Sequence, residues 1–163
     1  METNFYVKSH GLGNCYIVID TDKINYELTD TVVTRRSSDL KRICDLHFGV
    51  GSNGILLKVP SKIADFGLKI FNTDASIAEN CGNGLRIFSK FLYDYGYLSS
   101  DTFTVDILGR LIHCEILEKN ADGKAIKVRV DMGKANFIAK NVPVNFPKEE
   151  CINEPVSFGG KEF

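Results

Sequence analysis

The sequence contains no long hydrophobic run and no excess of either charge. A membrane helix needs about 20 consecutive apolar residues, and no stretch comes near that length. The 20 Lys and Arg residues are balanced by 21 Asp and Glu residues, so no net positive charge favours nucleic acid or an anionic membrane. The first residues also lack the basic and apolar segments of a secretion signal. We therefore expect no membrane, no nucleic-acid partner and no export.

Closely spaced cysteines are missing as well. No two cysteines form the Cys-x-x-Cys pattern of a redox or zinc site, and we predict no metal. An odd number of widely spaced cysteines fits reduced thiols in a cytosol better than a disulfide framework, so a cytoplasmic protein is expected. The cysteines are Cys15, Cys44, Cys81, Cys114 and Cys151.

What is present is the composition of an ordinary globular protein. Apolar residues make up 44% of the 163 residues and charged residues 25%, which argues against disorder. The length favours a single domain over residues 1–163, large enough to bury a hydrophobic core without disulfides. No internal repeat or low-complexity tract divides the chain.

Alternating and continuous apolar runs predict a series of short strands. The glycines of His10–Asn14 predict a loop between the first two strands, and Gly109-Arg110 and Asp122-Gly123 mark later turns. Beyond Asn136 the pattern predicts loops or edge strands. The predicted strands cover Asn4–Lys8, Cys15–Asp20, Ile55–Val59, Asp65–Asn72, Phe103–Leu108, Leu111–Leu117 and Ala125–Met132.

Two helical patterns interrupt the strands. The first covers Ser37–His47, where apolar residues recur at helical spacing. The second covers Asn83–Tyr95, and Gly96 stands where a C′ glycine ends a helix. The apolar face of this second helix is so broad that a sheet is expected around much of it. Its predicted polar side consists of Arg86, Ser89, Lys90 and Asp94.

The most informative segment precedes the second helix. A predicted strand ends at Asn72, a polar loop follows, and Cys81 stands at the helix start, before Gly82, Asn83 and Gly84. The unpaired amides of a first helical turn bind anions, and glycines let a ligand approach the backbone. The same partial positive charge favours a thiolate over a thiol at Cys81. We therefore expect acid/base or nucleophilic chemistry on a small acid.

Plainer interpretations of these residues stay open. A cysteine near a helix start is more often a small apolar filler than a reactive group, and the Cys-Gly-Asn-Gly run could form only a tight turn. Asn14 and Asn72 could simply cap loops. What favours a site is the combination of the cysteine with His10–Asn14 and with the glycines of Phe48–Gly51.

Taken together, these blocks resemble the diaminopimelate epimerases, which are cofactor-independent amino-acid epimerases. The resemblance covers essentially the whole chain through residues 128–133, and the related proline racemases have His in place of Asn83. The matching blocks are HGLGN (10–14), HFGVGSNGILL (47–57), PSKIADFGLKIFN (60–72) and NTDASIAENCGNGLRIFSKFL (72–92).

The pattern and the resemblance together predict an α/β (α+β) fold, in which a curved, mainly antiparallel sheet wraps around the Asn83–Tyr95 helix. The resemblance implies conversion of LL- to meso-diaminopimelate, for lysine and peptidoglycan precursor synthesis, without pyridoxal phosphate or metal. One cysteine thiolate removes the α-proton, and a second cysteine on the opposite face returns a proton. Cysteine suits both tasks because it can be base or acid near neutral pH.

The resemblance also implies roles for individual residues. Cys81 matches the first catalytic cysteine, and Asn14 and Asn72 match substrate-binding asparagines. Gly82 with its backbone and Asn83 with its side chain match the groups at the substrate carboxylate. An asparagine can donate and accept hydrogen bonds, so it can hold either end of an amino acid without adding charge.

Four positions depart from the family pattern. Cys15 replaces the usual aspartate, Ala75 replaces the usual loop glycine, and Ile77 replaces a frequent acidic residue. Gly54 stands where some members carry a substrate-binding glutamine, so that contact is not transferred to this chain.

The largest departure is length. The family has two similar halves, with the second cysteine in the second half, and this sequence corresponds to the first. The 163-residue chain alone is therefore expected to be nearly inactive, and a homodimer is the assembly that the resemblance suggests. Two alternatives stay open: a related racemase acting on another amino acid, and a non-catalytic amino-acid-binding domain.

Overall fold

The fold of the chain is described by a computed structural model for residues 4–25, 37–142, 144–155 and 157–162. The residues divide into two compact units, Met1–Met132 and Gly133–Phe163. The second unit contains a short 3₁₀ helix, Ala139–Asn141, and a small hairpin. Its sparse regular structure agrees with the loops and edge strands predicted beyond Asn136.

Seven strands of the first unit form one sheet in strict sequence order. The pairs β2/β3 and β4/β5 are parallel, and the other four neighbouring pairs are antiparallel. The sheet is therefore mixed with a majority of antiparallel pairs, as predicted. The strands are β1 (Val7–Gly11), β2 (Asn14–Asp20), β3 (Gly54–Val59), β4 (Phe66–Asn72), β5 (Thr102–Ile107), β6 (Arg110–Lys119) and β7 (Ala125–Val130); the hairpin of the second unit is β8 (Ser157–Phe158) and β9 (Lys161–Glu162).

The sheet curls around a helix that lies in its concave side. This helix, α2, covers Gly82–Asp94, within one residue of the prediction, and Gly96 follows it with a φ of 75°. It packs against β1 and β2 at one end of the strand order and against β6 and β7 at the other end. One helix can contact both ends only if the sheet wraps it, which confirms the predicted architecture. The fully buried residues of this core include Leu56, Ile70, Leu85, Phe88, Leu92 and Val105.

A second helix, α1 (Ser37–Cys44), covers the convex side of the sheet. Leu40 and Cys44 pack there with Ile55 and Phe71, which are buried on the opposite face from the α2 core. The predicted helix extended to His47, but the chain leaves the helix earlier. The reason is local: the Asp45 carboxylate accepts the next free amides, those of residues 47 and 48.

The predicted polar side of α2 is wrong at Ser89. This side chain is fully buried, and its hydroxyl donates to the Leu85 carbonyl over 2.8 Å. Burial is tolerated because a serine can bond to its own helix four residues back. Lys90 is also partly covered, since its Nζ donates to the Ala125 carbonyl of β7 over 2.6 Å. The sheet wraps further around α2 than the polar pattern alone indicates.

In the described part of the chain, no helix has the length and apolar character that crossing a membrane requires.

Candidate functional site

Three of the glycine- and asparagine-containing segments singled out in the sequence meet at one edge of the sheet. This edge is formed by the first residues of β2 and β3 and the last residue of β4. β2 and β3 are parallel, so Asn14 and Gly54 begin neighbouring strands at the same edge. β4 is antiparallel to β3, and Asn72 at its end pairs with Gly54. Asn14 and Asn72 therefore come from strands two apart at a single edge, although 57 intervening residues lie between them in the chain.

The turn before Asn14 is tighter than the predicted loop. Gly11 pairs with Asn14, so only Leu12 and Gly13 connect β1 to β2. Both residues have positive φ, 55° and 83°, as a two-residue turn with the twist of a hairpin requires. Glycine adopts this conformation readily. The turn places the Asn14 side chain at the first position of β2.

The connection from β4 to α2 folds back along β4. The Asn72 main-chain carbonyl accepts a hydrogen bond from the Ala75 amide over 3.0 Å, and the Asn72 main-chain amide donates to the Ser76 carbonyl. The Ala78 amide donates to the Ile70 carbonyl over 2.9 Å. Ala75 has a φ of 70°, a left-handed conformation that glycine adopts more readily than alanine. This return path brings Cys81 back to the edge that holds Asn14.

Cys81 is the N-cap residue of α2. Its backbone is extended, with φ −157° and ψ 102°, and its Sγ accepts the Gly84 amide over 3.2 Å. The Cys81 carbonyl accepts the Leu85 amide over 2.9 Å. The first amides of a helix have no partner inside the helix, and in α2 these include the amides of Gly82 and Asn83. The sequence placed Cys81 at the start of a helix, and the structure agrees; the binding of an anion there stays a prediction.

The Cys81 sulfur lies among polar groups of β2. The thiol points to Oδ1 of Asn14 over 3.9 Å, and the hydroxyl of Tyr16 lies 3.5 Å from the same sulfur. Cys81 is half-buried and borders the main core without being enclosed by it. The structure thus brings together Cys81 and Asn14, two of the five predicted site residues.

The other three predicted site residues lie close in the fold but have different contacts. The Asn72 side chain donates to Ser76 Oγ over 2.9 Å. The Asn83 Oδ1 accepts the guanidinium of Arg86 one turn along the helix. Gly82 faces the end of the sheet, where a methyl group added to it would stand 3.5 Å from the sulfur of Met132.

Tyr16 is the site residue that the sequence interpretation missed. A signal for it existed, because residues i and i+2 of a strand point to the same face. Asn14 and Tyr16 both belong to β2. If the side chain at position 14 is expected near a ligand, the side chain at position 16 is therefore expected on the same face of the strand.

Across the ranges 4–25, 37–142, 144–155 and 157–162, no three His, Cys, Asp or Glu side chains are grouped to hold a metal ion. His10, His47 and His113 are all exposed. Of these, only His10 lies near the β1–β2 turn.

The two buried cysteines, Cys44 and Cys114, are expected to react slowly with alkylating reagents. Burial, partly offset by a hydrogen bond with Ser89, raises the pKa of the Cys114 thiol to about 11. Burial also raises the pKa of Cys44, whose sulfur accepts Ser52 Oγ over 3.2 Å. Iodoacetamide at pH 7.5 should therefore modify Cys114 about 100-fold more slowly than an exposed thiol. Peptide mass spectrometry of the native protein measures these rates, and urea should abolish the protection; fast native labelling at Cys114 would contradict the packing.

Comparison with known proteins identifies relatives across most of the chain. The family model described as diaminopimelate epimerase matches residues 6–138. Two relatives named diaminopimelate epimerase are each 40% identical to this chain. The one from Caldanaerobacter subterraneus subsp. tengcongensis aligns over 159 residues, and the one from Acetivibrio thermocellus aligns over 158 residues. The match takes in 97% of this chain but 54% and 53% of those relatives. The chain thus spans about half the length of the relatives it matches.

Solved structures share the fold at low sequence identity. A hydroxyproline epimerase from Agrobacterium vitis aligns with a TM-score of 0.58 and 16% identity, over 77% of this chain and 40% of that one. A methylitaconate-delta-isomerase aligns with a TM-score of 0.56 and 20% identity, over 74% and 35%. Identities this low carry the fold alone.

Proposed function

The chain belongs to the diaminopimelate epimerase family, and from this membership we propose that it forms the part of a diaminopimelate epimerase that carries one of two acid/base groups. The reaction inverts one α-carbon and converts LL- to meso-diaminopimelate. It proceeds without pyridoxal phosphate or metal, in the cytoplasm, and supplies lysine and peptidoglycan precursors. The observation that carries the proposal is the Cys81 thiol at the start of α2, in contact with Asn14.

In the proposed mechanism the Cys81 thiolate acts as base. It takes the α-proton, so that the C–H bond breaks and its electron pair moves onto the α-carbon and the adjoining carboxylate. The amides of Gly82 and Asn83 would bind that carboxylate and stabilise the developing charge, because they are oriented before the reaction begins. A thiol on the opposite face returns a proton to the carbon and becomes a thiolate itself.

The asparagines of the sheet edge orient the substrate. Asn14 lies beside the Cys81 sulfur and can hold the substrate through its amide, without a charge that would compete with the carboxylate. Asn72 lies at the same edge, on a strand end fixed by hydrogen bonds to Ser76. We place both in contact with the amino-acid groups of the substrate, as the family motif implies.

The second acid/base group belongs, in this proposal, to the part of the relatives that the chain does not span. The chain matches 54% of the Caldanaerobacter relative, and it corresponds to one of two similar halves. The isolated 163-residue chain should then epimerise diaminopimelate hardly at all. A homodimer of the two-half protein is the proposed assembly.

Labelling with a substrate analogue tests the assignment of Cys81. An aziridine analogue of diaminopimelate, which alkylates a thiol placed at the α-carbon, should modify Cys81 at least tenfold faster than Cys15. Excess diaminopimelate should slow the labelling, because both molecules occupy one site. Peptide mass spectrometry gives the rate at each cysteine.

Two variants control this experiment. Cys81→Ala should lose the label, and Cys15→Ala should keep it. Labelling of Cys15 in place of Cys81 would contradict the proposal. Binding of diaminopimelate without labelling would favour the non-catalytic domain, and protection by a different amino acid alone would favour a related racemase. Rapid epimerisation by the 163-residue chain would contradict the division of the two acid/base groups.

A further inference from the structure

Tyr16 reaches the Cys81 sulfur, and the mechanism above gives it no role. Its hydroxyl lies 3.5 Å from Sγ, and the residue is 5% exposed. The two residues are 65 positions apart in the chain and come from β2 and from the start of α2. A buried hydroxyl needs a hydrogen-bond partner, and one partner of this hydroxyl is the sulfur of the proposed base.

The ring of Tyr16 has little freedom to turn away. It belongs to the main core around α2. On its other side lies Gly54, where an added methyl group would stand 2.9 Å from Cε1 of the ring. The sulfur is confined as well, because a methyl group on Gly84 would lie 3.3 Å from it. Glycines at these two positions therefore let the hydroxyl and the sulfur meet.

The groups around the sulfur serve both of its protonation states. The Gly84 amide can only donate, and it donates to the sulfur over 3.2 Å. The Asn14 Oδ1 can only accept, and it faces the thiol over 3.9 Å. The Tyr16 hydroxyl can donate to a thiolate, while the Asn14 side chain bonds to the hydroxyl in turn. A thiolate then has two donors, and the thiol formed by taking a proton has an acceptor.

On the basis of the proposed function, we propose that Tyr16 is a positioning residue of the reaction, whose hydroxyl donates a hydrogen bond to the Cys81 thiolate and stabilises the basic form of the sulfur. Burial, and next the hydrogen bond to Cys81 and its charge, raise the pKa of Tyr16 well above the usual 10. The hydroxyl therefore keeps its proton through the neutral range and remains a donor.

The test compares the pH profile of Cys81 alkylation in the wild type and in Tyr16→Phe. Phenylalanine keeps the ring against Gly54 and removes only the oxygen. The midpoint of the profile should move up by about one pH unit, with iodoacetamide labelling on its acidic side about tenfold slower. Tyr93→Phe is the matched control, because Tyr93 lies at the far end of α2 beside Lys119; it should leave the profile unchanged.

The neighbouring charges are the same in the proteins compared. Ionisable side chains on the elements that pack against α2 stay in place in Tyr16→Phe, so the shift reports the hydroxyl and no other group. A merely structural role for Tyr16 would alter stability without moving the midpoint. These side chains are Lys8 and His10 on β1, Cys15 and Asp20 on β2, Arg110, His113, Cys114, Glu115, Glu118 and Lys119 on β6, and Lys127 and Arg129 on β7, together with Arg86, Lys90, Tyr93 and Asp94 on α2 itself.

A second variant gives the opposite expectation. 3-Fluorotyrosine incorporated at position 16 is nearly the same size and a stronger donor, so it should move the midpoint down, and it keeps the test usable if Tyr16→Phe unfolds. An unchanged midpoint in either variant, or a downward shift in Tyr16→Phe, would overturn the proposal. Iodoacetamide needs no substrate site, so this failure is distinct from a failure of aziridine labelling, which would overturn the proposed function.

Discussion

Replacing Lys58 with methionine is expected to lower the free energy of unfolding by about 3–5 kcal/mol, because it leaves a buried carboxylate without its cation. Lys58 Nζ lies 3.1 Å from Asp20 Oδ1 and 2.6 Å from Asp22 Oδ2. The Asp20 side chain is 1% exposed and that of Asp22 is 62% exposed. Loss of the Lys58 cation therefore destabilises the buried Asp20 carboxylate more than the Asp22 carboxylate. Methionine keeps most of the apolar stem. Urea unfolding followed by circular dichroism measures the loss.

A surface ion pair in the same protein is the matched control. Lys127 and Glu118 lie 2.6 Å apart with side chains 60% and 53% exposed, and Lys127→Met should cost less than about 1 kcal/mol. Adding Asp20→Asn to Lys58→Met should recover part of the loss, because the stranded charge is then gone. Equal losses at Lys58 and Lys127 would contradict the buried network.

The same network predicts how the loss depends on pH. Burial raises the pKa of Asp20, but hydrogen bonds from Tyr97, the Asp22 amide and Lys58 outweigh it and lower that pKa. Burial lowers the pKa of Lys58, but Asp22 and Asp20 outweigh it and raise that pKa. The Asp20 contribution is complete above its unfolded pKa of about 3.9 and is lost as pH falls through the folded value. The Lys58 contribution is complete below about 10.4 and is lost as pH rises through the folded value. The difference in free energy of unfolding between wild type and Lys58→Met should therefore be constant near neutral pH and become smaller toward both low and high pH.

Replacing Gly54 with alanine is expected to destabilise the protein by about 2–3 kcal/mol and to impair labelling of Cys81. The added methyl group would stand 2.2 Å from the Phe71 carbonyl oxygen and 2.9 Å from the Tyr16 ring. The first contact separates β3 from β4 at the end that carries Asn72, and the second displaces the ring whose hydroxyl meets Cys81. Unfolding curves and aziridine labelling of one preparation measure both effects.

Gly11→Ala is the matched control at the same edge of the sheet. A methyl group there would lie 3.7 Å from Ile87 Cγ1, an ordinary van der Waals contact. We expect a change in stability of less than about 1 kcal/mol and unchanged labelling at Cys81. A Gly54→Ala protein as stable as Gly11→Ala would show that the strand can shift without loss.

Much of the fold followed from short-range patterns. Alternation over Asp65–Asn72 predicted β4, and the apolar face of Asn83–Tyr95 predicted a helix surrounded by a sheet. These predictions succeeded because side-chain spacing and backbone periodicity concern neighbouring residues. The prediction that Ser89 is exposed was wrong because the burial of a polar side chain depends on what packs over it. β6 and β7, which pack against α2, come later in the chain.

The placement of Cys81 was likewise accessible from the sequence, since a strand end, a polar loop and a glycine-rich helix start are local features. Its contact with Tyr16 was not, because it joins residues 65 positions apart through the curl of the sheet and the space left by Gly54. The buried Asp20–Lys58 pair similarly depends on the register of β2 against β3. The amino-acid sequence by itself determined the elements, the family motif and the cysteine at the helix start. The tertiary structure alone decided which hydroxyl meets that sulfur and which charges are buried, because such contacts depend on the packing of elements that are distant in the chain.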